Sequence, residues 1–82
     1  MMNYRTTTHF DRAFSKFPSK VQAVFDKQVR LLISNIRHPS LRAKKYDEAR
    51  DIWQARVTKN VRFYFSIVRD TYILLDIEKH RD

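Results

Sequence analysis

Arg56, Arg62 and His80 are the side chains of this sequence best suited to chemistry. A guanidinium is planar, binds phosphate oxygens in pairs and keeps its proton. Histidine titrates near neutrality and serves as general acid or base. Tyr64 offers a face on which a base can stack, with ordinary cross-strand packing as the alternative. Lys44 and Lys45, and Arg42 just before them, suit the tracking of a phosphate backbone, or else form a solvated connector. Together these residues point to a phosphate-bearing polymer. The plainer readings are an Arg62–Glu78 ion pair, a solvated Arg56 and an exposed terminal His80. His9, near a helix start, and His38, before a proline, read as structural. Asp76 and Glu78, beside arginines, read as salt-bridge partners and not as a catalytic pair.

The bulk composition agrees with an anionic partner. The chain has 82 residues and a net charge of +8, a surplus that favours nucleic acid, an anionic surface or an acidic protein. Its length predicts a single domain over 1–82, with an apolar fraction of 43% sufficient for one core. The absence of cysteine removes disulfides, thiolate zinc sites and a cysteine nucleophile. No metal-ligand spacing and no glycine-rich phosphate loop is present, so neither a metal nor a cofactor is expected. No apolar run is long enough for a bilayer and no leader-like segment opens the chain, so no membrane association is expected and a cytoplasmic location is the default.

The elements that must position these residues follow from periodicity. Asn3–Thr7 reads as a short strand. Phe10, Ala13, Phe14 and Phe17 mark one face of a helix, with Thr8 as its N-cap and Asp11 three positions on. Pro18 ends that helix and opens a second, in which Val21, Val24, Phe25, Val29, Leu32, Ile33 and Ile36 keep helical spacing to about Asn35. After His38-Pro39-Ser40 the period changes to two. Trp53, Ala55 and Val57 alternate with polar residues, as do Val61, Phe63, Phe65 and Ile67, and then Ile73, Leu75 and Ile77. The expected fold class is α+β: an N-terminal helical hairpin packed on a small antiparallel sheet, with Phe10, Phe14, Phe25, Leu32, Trp53, Phe63, Phe65 and Leu75 in the core.

Register decides which residues share a face. A two-residue loop at Thr58-Lys59 would carry Arg62 into the core. A three-residue loop, Thr58-Lys59-Asn60 with Asn60 left-handed, sets Arg62 against Arg56 and Val61 against Val57. The same reasoning makes Arg69-Asp70-Thr71 the next loop. It sets Phe63, Phe65 and Ile67 against Ile77, Leu75 and Ile73, with Asp76 beside Tyr64 and Glu78 beside Arg62. The face away from the helices then carries Arg56, Arg62, Tyr64 and, by parity, His80.

The ordered series KFPSKVQ, HPSLRAKK, IWQARV, NVRFYFSI and YILLDIEKH resembles the RelE/ParE superfamily of toxin–antitoxin toxins over nearly the whole chain. The resemblance implies an antiparallel sheet flanked by two helices. In RelE-like members it implies ribosome-dependent cleavage of mRNA, hence inhibition of translation, with the ribosome, mRNA and a cognate antitoxin protein as partners. Catalysis in the family leans on basic residues at positions matching Lys44, Lys45, Arg56 and Arg62, and in many members on a residue matching His80. RNA brings its own nucleophile, the 2′-hydroxyl, so a phosphate grip and a proton carrier suffice for cleavage. The sequence ends at Asp82 without the terminal tyrosine or extra helix of several members. Inhibition of DNA gyrase, as in the ParE branch, and an attenuated homologue that only binds antitoxin or nucleic acid are the alternative expectations.

Overall fold

A computed structural model describes residues 2–80. The chain runs β1 (Asn3–Thr6), α1 (Thr8–Ser15), α2 (Ser19–Ser34), β2 (Lys44–Asp47), β3 (Ile52–Thr58), β4 (Val61–Val68) and β5 (Thr71–Lys79). The five strands form one sheet in the order β1-β5-β4-β3-β2. Among the described residues no helix is long and apolar enough to cross a membrane.

Both helices begin at residues with extended backbone. Thr7 caps α1, its hydroxyl accepting from the Phe10 N–H at 3.0 Å, one residue before the Thr8 cap expected from sequence. Its φ of −91° and ψ of 163° leave that hydroxyl aimed at the first turn. Pro18 is the N-cap of α2, not its first helical residue, and its carbonyl accepts from the N–H groups of Val21 and Gln22 at 3.0 and 3.1 Å. The Gln22 amide then donates to the carbonyls of Phe14 and Phe17 at 3.2 and 3.1 Å, satisfying the end of α1 across the Pro18 corner.

The core lies between the helices and one face of the sheet. Phe25 of α2 packs edge-on to Phe63 of β4, with 5.3 Å between ring centroids, and touches Phe10 and Phe14 of α1. Phe10, Leu32, Phe63, Phe65, Leu74 and Ile77 are fully buried. Phe14 and Trp53, both expected in the core, are half-buried at its margin.

The sheet departs from the antiparallel expectation at one edge. β1 precedes the helices and pairs parallel with β5, Asn3 opposite Thr71 and Thr6 opposite Leu74. A parallel pair needs a long crossover, and the whole intervening chain supplies it. All four residues of β1 are exposed, so no alternation revealed its partner or direction.

Two bulges replace the expected three-residue loops. In β3–β4, Arg56 pairs with Arg62 as expected, but Val61 pairs with Thr58 and the register slips between Arg56 and Thr58. The extra residue sits in the strand, not in the turn, and Asn60 is not left-handed. Val57 and Val61 are nevertheless both buried, because a bulge reverses parity as an extra loop residue would. In β4–β5 the turn is Arg69-Asp70, with Arg69 left-handed at φ 58° and Thr71 already paired with Val68. Ile67 therefore faces Tyr72 and Phe65 faces Leu74, where Ile73 and Leu75 were expected. A slip between Tyr64 and Phe65 restores the expected Tyr64–Asp76, Phe63–Ile77 and Arg62–Glu78 pairs. Tyr72, Leu74 and Ile77 are thus core, and Leu75, at the slip, is only half-buried.

Candidate functional site

Arg56 and Arg62 meet at the β3–β4 turn. Nη1 of Arg62 donates to the carbonyls of Thr58, Lys59 and Val61 at 2.7, 3.1 and 3.2 Å. Nε of Arg56 reaches the same Thr58 oxygen at 3.4 Å. One electronegative oxygen thus draws two guanidinium groups together, in spite of their like charge. Among the described residues Nε and Nη2 of Arg62 have no further acceptor, which leaves one edge of the guanidinium for a bidentate contact.

The backbone of Arg56 is fixed from both sides. Its N–H donates to the Leu41 carbonyl at 2.7 Å, and its carbonyl accepts from Nε2 of Gln28 at 2.8 Å. Gln28 is only 5% exposed on the inner face of α2, and its amide also donates to the Ser40 carbonyl at 3.3 Å. One buried amide therefore ties helix, connector and strand together. Its signal in the sequence is a polar residue in phase with Phe25, Val29 and Leu32.

His80 reaches the same turn by its main chain. Its N–H donates to the Asn60 carbonyl at 2.6 Å, and the residue is exposed. Lys79 pairs with Val61 and Glu78 with Arg62, so the end of β5 runs alongside the two arginines.

The lysines separate. Lys44 and Lys45 lie in β2, an edge strand the sequence did not disclose, since four residues with three charges leave little periodicity to read. Lys44 pairs with Gln54 and Lys45 with Trp53, so they point to opposite faces of the sheet. Lys44 is exposed. Lys45 forms an ion pair with Asp51 and lies over the Trp53 ring, 5.1 Å from its centroid. That hydrogen bond to Asp51 raises the lysine's pKa above its ordinary value. Arg42 is exposed at the kink into β2, with φ 47°.

Tyr64 is only 8% exposed, and Tyr46 of β2, 59% exposed, stands edge-on to it with centroids 4.9 Å apart. The Tyr64 hydroxyl accepts from the Gln54 amide at 3.2 Å. Burial raises the phenol's pKa, and the Glu78 carboxylate adds to the effect. Around these rings lies a shallow hollow of about 210 Å³ lined also by Asp47, Arg50, Asp76 and Glu78. Arg50 is held by Asp47 at 3.0 Å, and Asp76 lies 3.1 Å from Nε2 of His9. His38 accepts the Ser40 N–H on Nδ1 at 3.2 Å inside the connector. Tyr46 lies in no run of alternating residues and so carries no signal in the sequence.

Several solved structures share this fold. A YoeB dimer from Staphylococcus aureus matches with a TM-score of 0.81 and 9% identity over 98% of each chain. A RelE–RelB complex from Pyrococcus horikoshii matches with 0.79 and 13%, covering 95% of this chain and 93% of that one. A toxin–antitoxin complex from Mycobacterium tuberculosis matches with 0.75 and 22% over 98% of each chain. No family model matches the sequence, and no curated protein does. The chain has the fold of RelE/ParE-superfamily toxins.

Proposed function

We propose that this chain is the toxin of a toxin–antitoxin pair and that it cleaves mRNA on the ribosome. The observation that carries the reading is the convergence of Arg56 and Arg62 on the Thr58 carbonyl, with His80 tied to the same exposed turn. A phosphate is a stronger acceptor than a carbonyl and suits the open Nε–Nη2 edge of Arg62. The 2′-oxygen attacks phosphorus and passes its proton to solvent water. Arg62 and Arg56 stabilise the charge gathering on the phosphoryl oxygens. The bond to the 5′-oxygen breaks, and that oxygen takes up a proton, with His80 as the proton carrier at this end of the sheet. The products are a 2′,3′-cyclic phosphate and a 5′-hydroxyl.

Lys44 and Arg42, both exposed, hold the flanking backbone, while Lys45 is partly neutralised by Asp51. Tyr46, not the buried Tyr64, presents the accessible ring for a base. A cognate antitoxin with an acidic segment is the protein partner, a reading supported by the shared fold of the RelE–RelB and YoeB–YefM complexes.

The test is controlled expression with mapping of mRNA 5′ ends and of end chemistry, alongside a gyrase supercoiling assay. New 5′-hydroxyl ends that disappear in Arg62→Ala are expected. Growth arrest without new ends, accompanied by lost supercoiling, selects gyrase as target. Neither effect leaves a binding-only protein.

A further inference from the structure

A second basic feature lies beside the turn, on the α2 side of β3. Lys27 of α2, Arg42 of the connector, Arg56 of β3 and Lys59 of the β3–β4 turn line one open groove of about 560 Å³, floored by Val24, Pro39 and Val57. No acidic residue lines it. Among the described residues none of its four cations forms an ion pair, whereas Lys45 and Arg50 elsewhere are each held by an aspartate.

The framework of the groove is fixed before any ligand arrives. Gln28 joins α2 to the Ser40 and Arg56 carbonyls, and Leu41, fully buried, accepts the Arg56 N–H. Arg42 holds a left-handed backbone that glycine would adopt more readily, and so turns the chain from the groove wall into β2. The Thr58 and Lys59 carbonyls at the turn already accept from Arg62, and that of Thr58 from Arg56 as well. The potential of the groove is therefore set by cations with no local counter-charge.

We propose that this groove binds a second stretch of RNA sugar-phosphate backbone, separate from the scissile phosphate, with Arg56 shared between the two sites. The inference rests on the reading above that the partner is RNA, and it assigns Lys27 and Lys59 a role in holding it. Contacts of this kind are sequence-independent and salt-sensitive. Each phosphate neutralised adds about 0.7 to 0.9 to the slope of log affinity against log salt.

The experiment measures binding of a 2′-O-methyl RNA, which cannot be cleaved, across a salt series. The chains compared are the unaltered protein, Lys27→Ala/Lys59→Ala and Lys16→Ala/Lys20→Ala, the last removing the same charge around the corner between α1 and α2. The groove variant is expected to bind more weakly and to lose about 1.5 units of slope, with the control nearly unchanged. An unchanged slope in the groove variant, or an equal loss in the control, overturns the assignment. So does weakened binding of the antitoxin with RNA binding intact, which would make the groove a protein-docking surface. Cleavage does not enter this measurement, so its outcome and that of the Arg62→Ala test are separable.

Discussion

The hollow around Tyr46 and Tyr64 and the groove beside Arg56 lie on one small domain and have opposite electrostatic character. The hollow is lined by three carboxylates and one arginine, and that arginine is already paired. The groove is lined by four cations and no carboxylate. The net charge of +8 is thus not evenly spread. On this charge distribution a phosphate backbone would be drawn towards the β3–β4 turn and repelled from the aromatic hollow. A domain of this size can thus orient a polyanion as well as attract it.

The widest separation between the two regions is expected from single replacements on either side. Arg62→Ala should lower cleavage by ~10²–10³, as loss of a charge-stabilising donor does elsewhere. Tyr46→Ala, the loss of one stacking surface worth ~1–3 kcal/mol, should cost less. Single-turnover cleavage of mRNA on programmed ribosomes measures both, and a larger effect at Tyr46 would reverse the ranking of the two regions.

Gln28→Ala comes next. It leaves the Arg56 and Ser40 carbonyls without their donor, a loss of roughly 1–3 kcal/mol. Urea unfolding should show an earlier midpoint, and RNA binding should weaken because the groove wall is no longer pinned. Stability equal to that of the parent would mean that water replaces the amide without cost.

Glu78→Gln sharpens the comparison from the acidic side. With one repulsive charge removed, RNA affinity should rise by a factor of about three at low salt and converge with the parent at high salt. A fall in affinity would show that the carboxylate touches the ligand instead of repelling it.

The smallest effect is a matter of pH. Burial raises the pKa of Tyr64 and of Tyr72 above the ordinary value of 10.0, so folding holds their protons more tightly than the unfolded chain does. The stability this confers is complete below about pH 10 and is lost as the pH climbs through the raised values. Tyrosinate absorbance should show these two phenols ionising late, and Tyr64→Phe should remove one of them.

Parity made the central pairs legible. Arg56–Arg62, Arg62–Glu78 and Tyr64–Asp76 follow from keeping charge out of the core, and the structure contains all three pairs. The means of reaching them was not legible, since a bulge in β3 and a three-residue loop satisfy the same constraint. Leu75 was assigned to the core because Ile73, Leu75 and Ile77 alternate, but the slip near Tyr64 breaks that phase. β1 and β2 are four residues each, too short and too exposed to declare a partner. Lys27 and Lys59 are 32 positions apart and meet only through the packing of α2 on β3. No local pattern could have joined them.

The pairing of β1 with β5 has a kinetic consequence. The Thr7 hydroxyl bonds the Leu74 carbonyl across 67 positions of sequence, and α1 packs against β5 as well as against α2. Such contacts close long loops and slow the search for the native state. Synthesis has to pass β5 before the sheet can close on the side of β4 away from β3, so β3 and β4 alone leave Phe63 and Phe65 half covered. The sheet is therefore completed only after β5 has emerged. Up to that step its exposed aromatic surface is a target for chaperones and proteases.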